Sequence, residues 1–305
     1  MTGRSLLGVR LWVAGARPKT LGASVSPVLV GTAVASRYGE VIWARAALAL
    51  VVAVALQVGV NYANDYSDGV RGVDSARRKG PMRLTASGLV APGAVKRAAI
   101  LSFAVAAVAG IALALAADWR LILVGAVCVL AGWLYSGGPK PYASAGLGEV
   151  MVLVFFGFVA TVGSAYVHDR RLPALAFEAA VPMGLAASAI LLVNNLRDVL
   201  SDRVAGKRTL AVRLGEPATR IVYLSCMAVT MVWPLLLGVT APGAVAGLLA
   251  APLAVSPMRT VAGHGGRATQ ATTKADAPAL VGALVKTARF QLVLAALLAV
   301  GMWDW

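Results

Sequence analysis

Two clusters of carboxylate and amide side chains interrupt apolar stretches of this chain. The first island, residues 61–68, reads NYANDYSD, and the second island, residues 194–202, reads NNLRDVLSD. On a helix, the acidic residues of each island lie three or four positions apart and therefore share one face. Carboxylates beside hydrocarbon are costly and mark functional sites, and oxygen-only clusters suit Mg²⁺, which shares its shell with water and phosphate. The pattern predicts a diphosphate site at the boundary of a membrane.

The stretches that must position the islands are long enough to cross a bilayer. The chain has 305 residues, of which 59% are hydrophobic and 13% are charged, whereas soluble domains carry about 25% charged residues. We predict an all-α, polytopic membrane protein in which residues 1–305 form one transmembrane domain of nine helices. The nine apolar runs are 20–36, 43–63, 95–117, 119–135, 147–167, 172–195, 219–239, 242–258 and 288–304.

The distribution of positive charge predicts the orientation. With a cytoplasmic N-terminus, 23 of the 28 lysine and arginine residues lie in the N-terminal segment or near cytoplasmic loops, as the positive-inside rule requires. The C-terminus is then outside, and residues 1–19 form a segment at the interface of the lipid bilayer. The active-site motifs lie in cytoplasmic loops, 64–94 and 196–218. The basic residues are spread among loops and form no single patch, so the net charge of +15 does not indicate nucleic-acid binding.

The residue types in and after the islands predict how a diphosphate is bound. Carboxylates hold Mg²⁺, and lysine and arginine contact the remaining phosphate oxygens. An allylic prenyl diphosphate held in this way can ionise while its chain lies in hydrocarbon between helices. The predicted metal ligands are Asn64, Asp65, Asp68, Asn195, Asp198 and Asp202. The predicted diphosphate-binding residues are Arg71, Lys79, Arg83, Lys140, Lys207 and Arg208. The predicted catalytic residues are Asp68, Asp198, Asp202 and Lys207.

Four further residues are candidates for binding an aromatic substrate: Arg17, Lys19, Asn61 and Glu149. Each has a plainer interpretation. Glu149 is also a first-turn helix acid, and the two basic residues could extend to the interface without binding a ligand. One Asp or Asn at a helix end usually caps that helix or is solvated. Two islands with helical spacing, both at the cytoplasmic ends of spans, favour a functional site.

The islands resemble the two Asp-rich motifs of the UbiA superfamily of intramembrane aromatic prenyltransferases. The stretches RPKTLGA (17–23), GPMRL (80–84) and AGKRTLAVRLG (205–215) extend the resemblance, and they bring the chain closest to the branch that prenylates 1,4-dihydroxy-2-naphthoate in menaquinone biosynthesis. In that family, Asn64 and Asp68 correspond to the metal-binding part of the first motif, with Asp198, Asp202 and Lys207 in and after the second. The match leaves open whether Asn194 or Asn195 faces the metal.

The resemblance implies both a fold and a reaction. Nine helices would surround a central cavity with two Mg²⁺ ions. A polyprenyl group would pass from polyprenyl diphosphate to 1,4-dihydroxy-2-naphthoate, with loss of carboxylate and pyrophosphate, to give demethylmenaquinone at the cytoplasmic face of a bacterial plasma membrane. A related enzyme with another acceptor, such as 4-hydroxybenzoate, is the nearest alternative. A membrane transporter is the alternative from a different class, but transporter charges lie near the bilayer midplane, whereas these lie at the ends of apolar runs.

Overall fold

The computed structural model describes residues 2–72, 83–138, 141–263 and 277–304. Within these ranges every regular element is helical, which confirms the all-α class. The helices are α1 (Thr2–Ala16), α2 (Gly22–Ser36), α3 (Trp43–Val70), α4 (Pro92–Ala116), α5 (Leu121–Ser136), α6 (Gly148–Asp169), α7 (Ala174–Val204), α8 (Leu210–Leu214), α9 (Glu216–Thr240), α10 (Pro242–Gly263) and α11 (Ala277–Met302).

Seven of the described helices, of 22–31 residues, are long and apolar enough to cross a membrane: α3, α4, α6, α7, α9, α10 and α11. Two more apolar helices are shorter: α2 with 15 residues and α5 with 16. A chain with seven such helices is a multi-pass membrane protein. Each of the nine apolar runs predicted from the sequence coincides with one of these nine helices.

The helices that carry the islands are longer than predicted. Helix α3 continues to Val70 and α7 continues to Val204, so both islands lie in the last turns of helices and not in the loops 64–94 and 196–218. The chain turns only afterwards, at Gly72 and Gly206, which have φ of +68° and +73°. Glycine adopts this left-handed conformation without steric cost and commonly ends helices. Helix α11 likewise begins before the predicted apolar run 288–304, at Ala277.

Helix α7 is the most enclosed of the membrane-length helices, with 72% of its apolar window buried. Small residues permit this. A Cβ atom on Gly157 would lie 2.8 Å from the Cα of Gly184, so α6 and α7 approach each other at backbone distance, as small residues allow in membranes. The contact falls in a π-helical segment of α6, Leu153–Val159. The second island is therefore carried by a rigid central helix.

The N-terminal segment predicted to lie at the interface is helical and packs against α3 beside the first island. The Tyr62 hydroxyl donates to the Trp12 carbonyl at 2.7 Å, and the Asn61 side-chain amide donates to the Ala16 carbonyl at 2.9 Å. The Trp12 and Tyr62 rings also meet edge to face, with centroids 5.7 Å apart. Helix α1 is thus held against α3, which fixes the position of the backbone at Arg17, the next residue in the chain.

Candidate active site

One lysine joins the two islands. Lys207 Nζ lies 2.9 Å from Asp68 Oδ1 on α3 and 3.9 Å from Asp202 Oδ1 on α7. The turn at Gly206 folds the chain back, and the Lys207 amide donates to the Asp202 carbonyl at 2.8 Å. Both carboxylates are buried, with residue exposures of 4% and 7%. Asp68 and Asp202, which are far apart in sequence and lie on different helices, therefore face the same ammonium group.

A second cation reaches the first island from the turn before α4. Arg83 Nη2 lies 3.9 Å from Asp68 Oδ2, and its side chain is only 10% exposed. Asp68 therefore lies between two cationic groups, one from each side. Cations placed around a buried carboxylate can instead bind phosphate oxygens when a metal ion occupies the carboxylate.

Asp65, the other acid of the first island, holds backbone groups. Its Oδ2 accepts the Leu84 amide and its Oδ1 accepts the Thr85 amide, both at 2.9 Å. The residue is 1% exposed. Asp65 was predicted to be a metal ligand, and the structure places both of its oxygens on the turn that carries Arg83.

Asp198, in the second island, is paired within its own helix. Arg197 Nε lies 2.9 Å from Asp198 Oδ1, and Nη2 lies 2.6 Å from Oδ2. The same guanidinium donates to the Asn194 side chain at 2.9 Å. This bidentate pair is buried, with side chains 3% and 5% exposed. Arg197 therefore compensates the charge of one carboxylate of the second island.

Glu149, at the start of α6, is tied to the same island. Asn195 Nδ2 donates to Glu149 Oε1 at 2.8 Å, and Ser188 Oγ donates to the Glu149 carbonyl at 3.0 Å. Glu149 Oε2 is buried and has no hydrogen-bond partner among the described residues. Glu149 therefore joins the start of α6 to the second island.

Several predicted site residues lie elsewhere or do other work. Arg71 donates to the Ser136 and Gly138 carbonyls at the end of α5, where Ser67 also donates to Ser136 at 2.6 Å. The side-chain amide of Asn61 is used by Ala16 and by Gln57. Lys19 and Arg208 are exposed, and Asn64 is half-buried. Lys79 and Lys140 lie outside the described residues.

The donor set suits Mg²⁺ shared with a substrate better than a closed metal cage. In the part of the chain that the structure describes, no group of three or more His, Cys, Asp or Glu side chains is placed to hold a metal ion alone. Mg²⁺ commonly takes one or two carboxylates and completes its shell with water and phosphate oxygens. Asp68 and Asp202 supply such a pair, and their shared contact with an ammonium group shows that cationic charge is accommodated between them.

Known proteins resemble this chain in both sequence and fold. The model of the UbiA prenyltransferase family matches residues 24–274. The chain belongs to the UbiA prenyltransferase family. A 1,4-dihydroxy-2-naphthoate octaprenyltransferase of Mycobacterium tuberculosis is 49% identical over 259 residues, which cover 84% of this chain and 88% of the relative. The Escherichia coli protein of the same name is 38% identical over 271 residues, covering 86% and 88%.

Solved UbiA structures share the fold. A UbiA homolog from Archaeoglobus fulgidus bound to GPP and Mg²⁺ superimposes with a TM-score of 0.64, covering 94% of this chain and 99% of the homolog at 15% identity. At that identity the likeness concerns the fold alone. Family membership confirms the resemblance read from the islands.

Proposed function

We propose that this UbiA-family protein transfers a polyprenyl group from polyprenyl diphosphate to 1,4-dihydroxy-2-naphthoate. Two relatives that carry this name match most of the chain at 49% and 38% identity. The observation that carries the proposal is the meeting of Asp68 and Asp202, from separate helices, at Lys207. A paired carboxylate site with a cation at its centre is what a Mg²⁺-bound diphosphate requires.

In the proposed site, the diphosphate lies between the two islands. Asp68 and Asp202 hold Mg²⁺, assisted by Asn64 and Asp198; we propose two ions. When bound, the ions would supply positive charge that offsets the negative charge growing on the leaving pyrophosphate. Lys207 and Arg83 bind the remaining oxygens, and their attraction increases as the carbon–oxygen bond breaks.

The acceptor binds on the side of Glu149 and Arg17. Glu149 Oε2 accepts a hydroxyl of the ring, while Asn195 fixes the other carboxylate oxygen. Arg17 pairs with the carboxylate of the naphthoate. The ring carbon that bears this carboxylate forms the new carbon–carbon bond to the prenyl group. The bond between this ring carbon and the carboxylate then breaks, and its electron pair returns to the ring as CO₂ leaves. The product is demethylmenaquinone in its hydroquinone form, and no proton is released from carbon.

The proposed topology has nine spans, with α2 and α5 added to the seven membrane-length helices. The N-terminus and the islands lie at the cytoplasmic face of a bacterial plasma membrane, and the C-terminus lies outside. Reporter fusions after Gly88 and Gly215 should report the cytoplasm, and a fusion after Trp305 should report the outside. A cytoplasmic C-terminus would overturn the count of spans.

An acceptor panel tests the reaction. Membranes that contain the protein should release pyrophosphate from geranylgeranyl diphosphate only when 1,4-dihydroxy-2-naphthoate and Mg²⁺ are both present. The Asp68→Asn variant should release pyrophosphate about 10²–10³-fold more slowly, whereas Asp118→Asn, at the opposite end of α4 from Arg83, should match the unmodified protein. A prenylated product from 4-hydroxybenzoate instead would identify the related enzyme, and no product from any acceptor would favour a transporter.

A further inference from the structure

The two carboxylates of the first island have different surroundings. Asp68 faces the side chains of Lys207 and Arg83. Asp65, one helical turn earlier, faces no cation within ion-pair distance among the described residues, and it receives two backbone amides at 2.9 Å. These two hydrogen bonds form a specific structural contact, since both N–H groups would otherwise lack a hydrogen-bond partner in the protein interior.

The segment that Asp65 binds is a compact turn, residues 83–90. Within it, the Ser87 amide donates to the Arg83 carbonyl and the Val90 amide donates to the Leu84 carbonyl. Leu84 is fully buried in an apolar cluster with Tyr62, Val95 and Phe103. The turn is therefore held on α3 by one apolar side chain and by the Asp65 carboxylate.

The turn approaches α3 where the helix has no side chain. A Cβ atom on Gly69 would lie 2.5 Å from Thr85 Cβ and would clash with it. Asp65 and Gly69, one helical turn apart, together allow the turn to rest on the helix. Arg83, the residue directly before Leu84, is thereby directed toward Asp68.

We infer that Asp65 is a positioning residue and not a metal ligand: it fixes turn 83–90 so that Arg83 reaches the diphosphate bound at Asp68. The role of Arg83 rests on the proposed function, whereas the attachment of the turn to Asp65 does not. Asp65 and Asp68 belong to one motif but have different roles. Asp68 acts on the ligand, and Asp65 acts through Arg83.

Hydrogen–deuterium exchange tests the attachment without substrate or metal. In Asp65→Ala, the amides of the 83–90 segment should exchange at least about tenfold faster than in the unmodified protein, because two protecting hydrogen bonds are lost. Gly69→Ala, which displaces the turn sterically, should give the same increase. Asp118→Ala removes a carboxylate that accepts the Arg120 amide at 2.9 Å at the far end of α4 and should leave the segment unchanged. Unchanged exchange in Asp65→Ala would overturn the inference.

Kinetics then test the consequence for the ligand. Asp65→Ala and Arg83→Ala should each raise the KM for geranylgeranyl diphosphate by about tenfold, and the double variant should be no worse than either alone, because both changes remove the same contact. The Mg²⁺ concentration for half-maximal activity should stay unchanged in Asp65→Ala and rise in Asp68→Asn. A rise in Asp65→Ala equal to that in Asp68→Asn would show that Asp65 is a metal ligand. If no transfer occurs in the unmodified protein, the proposed function fails, while exchange still decides the role of Asp65.

Discussion

The two islands have the same kinds of residue at similar spacing, yet their carboxylates are compensated differently. In the first island, Asp65 accepts two neutral backbone amides and faces no cation within ion-pair distance among the residues that the structure describes. In the second island, Asp198 is bound by the Arg197 guanidinium, so its charge is neutralised locally. In each island, the remaining acid, Asp68 or Asp202, contacts Lys207. Each island thus contributes one acid to the shared centre and binds the other within its own surroundings.

This difference teaches that an Asp-rich motif is not a list of equivalent ligands. The acids that meet across the molecule are set by the packing of α3 against its neighbours and by the turn at Gly206. The acids held locally stabilise the elements that bring the first pair together. Variants of the two islands should therefore differ in their effects.

The largest effect should follow from removing the partner of Asp198. Arg197→Leu removes the bidentate guanidinium from a buried carboxylate, and breaking a buried ion pair in this way costs about 3–5 kcal/mol of folding stability. Thermal unfolding in detergent micelles measures this loss. Mg²⁺ should restore part of it, because a cation at the second island compensates Asp198 again. Arg203→Leu removes an exposed arginine from the same helix and should change stability by less than about 0.5 kcal/mol. Equal stability of the two variants would show that the pair is not needed for compensation.

Next in size should be the effect of neutralising the shared acids. Asp68→Asn and Asp202→Asn keep the side-chain shape and remove the charge, so each should lower kcat by about 10²–10³-fold, the range for losing one group that stabilises transition-state charge. Pyrophosphate release at matched protein levels in membranes gives the value. Asp169→Asn, at the far end of α6, serves as the control and should retain full activity. A large loss for one island alone would contradict a shared centre.

A smaller effect is expected from the lysine that joins the islands. Lys207→Ala should raise the KM for prenyl diphosphate and lower kcat, with kcat/KM reduced by about 10–100-fold, because its attraction to the leaving group grows during ionisation. The KM for the naphthoate should change little. Lys207→Arg, which keeps the charge, should recover part of kcat. If KM for the naphthoate rises as much as KM for the diphosphate, Lys207 does not act on the diphosphate.

The sequence predicted the elements better than the contacts. The nine apolar runs follow from hydropathy, the shared helix face of the acids in each island follows from their spacing, and the family follows from the resemblance of the motifs. The loops 64–94 and 196–218 were predicted to carry the islands, but the two helices continue through the islands. Sequence spacing could not reveal the Arg197–Asp198 pair, because adjacent residues on a helix do not normally face each other. It also could not assign Asp65 to the Leu84 and Thr85 amides, since that contact depends on how turn 83–90 folds back onto α3. Arg71 was predicted to bind diphosphate, but it donates to backbone carbonyls at the end of α5. This contact depends on how α5 packs beside α3, which the sequence pattern does not predict.

The central claim is that Asp68 and Asp202 form one metal–diphosphate site. Its most direct test is a titration of the purified protein with Mn²⁺, a spectroscopic substitute for Mg²⁺, followed by electron paramagnetic resonance in the presence of a non-ionisable thiolodiphosphate analogue of the prenyl substrate. We expect two bound ions in the unmodified protein, fewer in both Asp68→Asn and Asp202→Asn, and none at the same concentrations when the two substitutions are combined. Unchanged binding in either single variant would contradict the shared site.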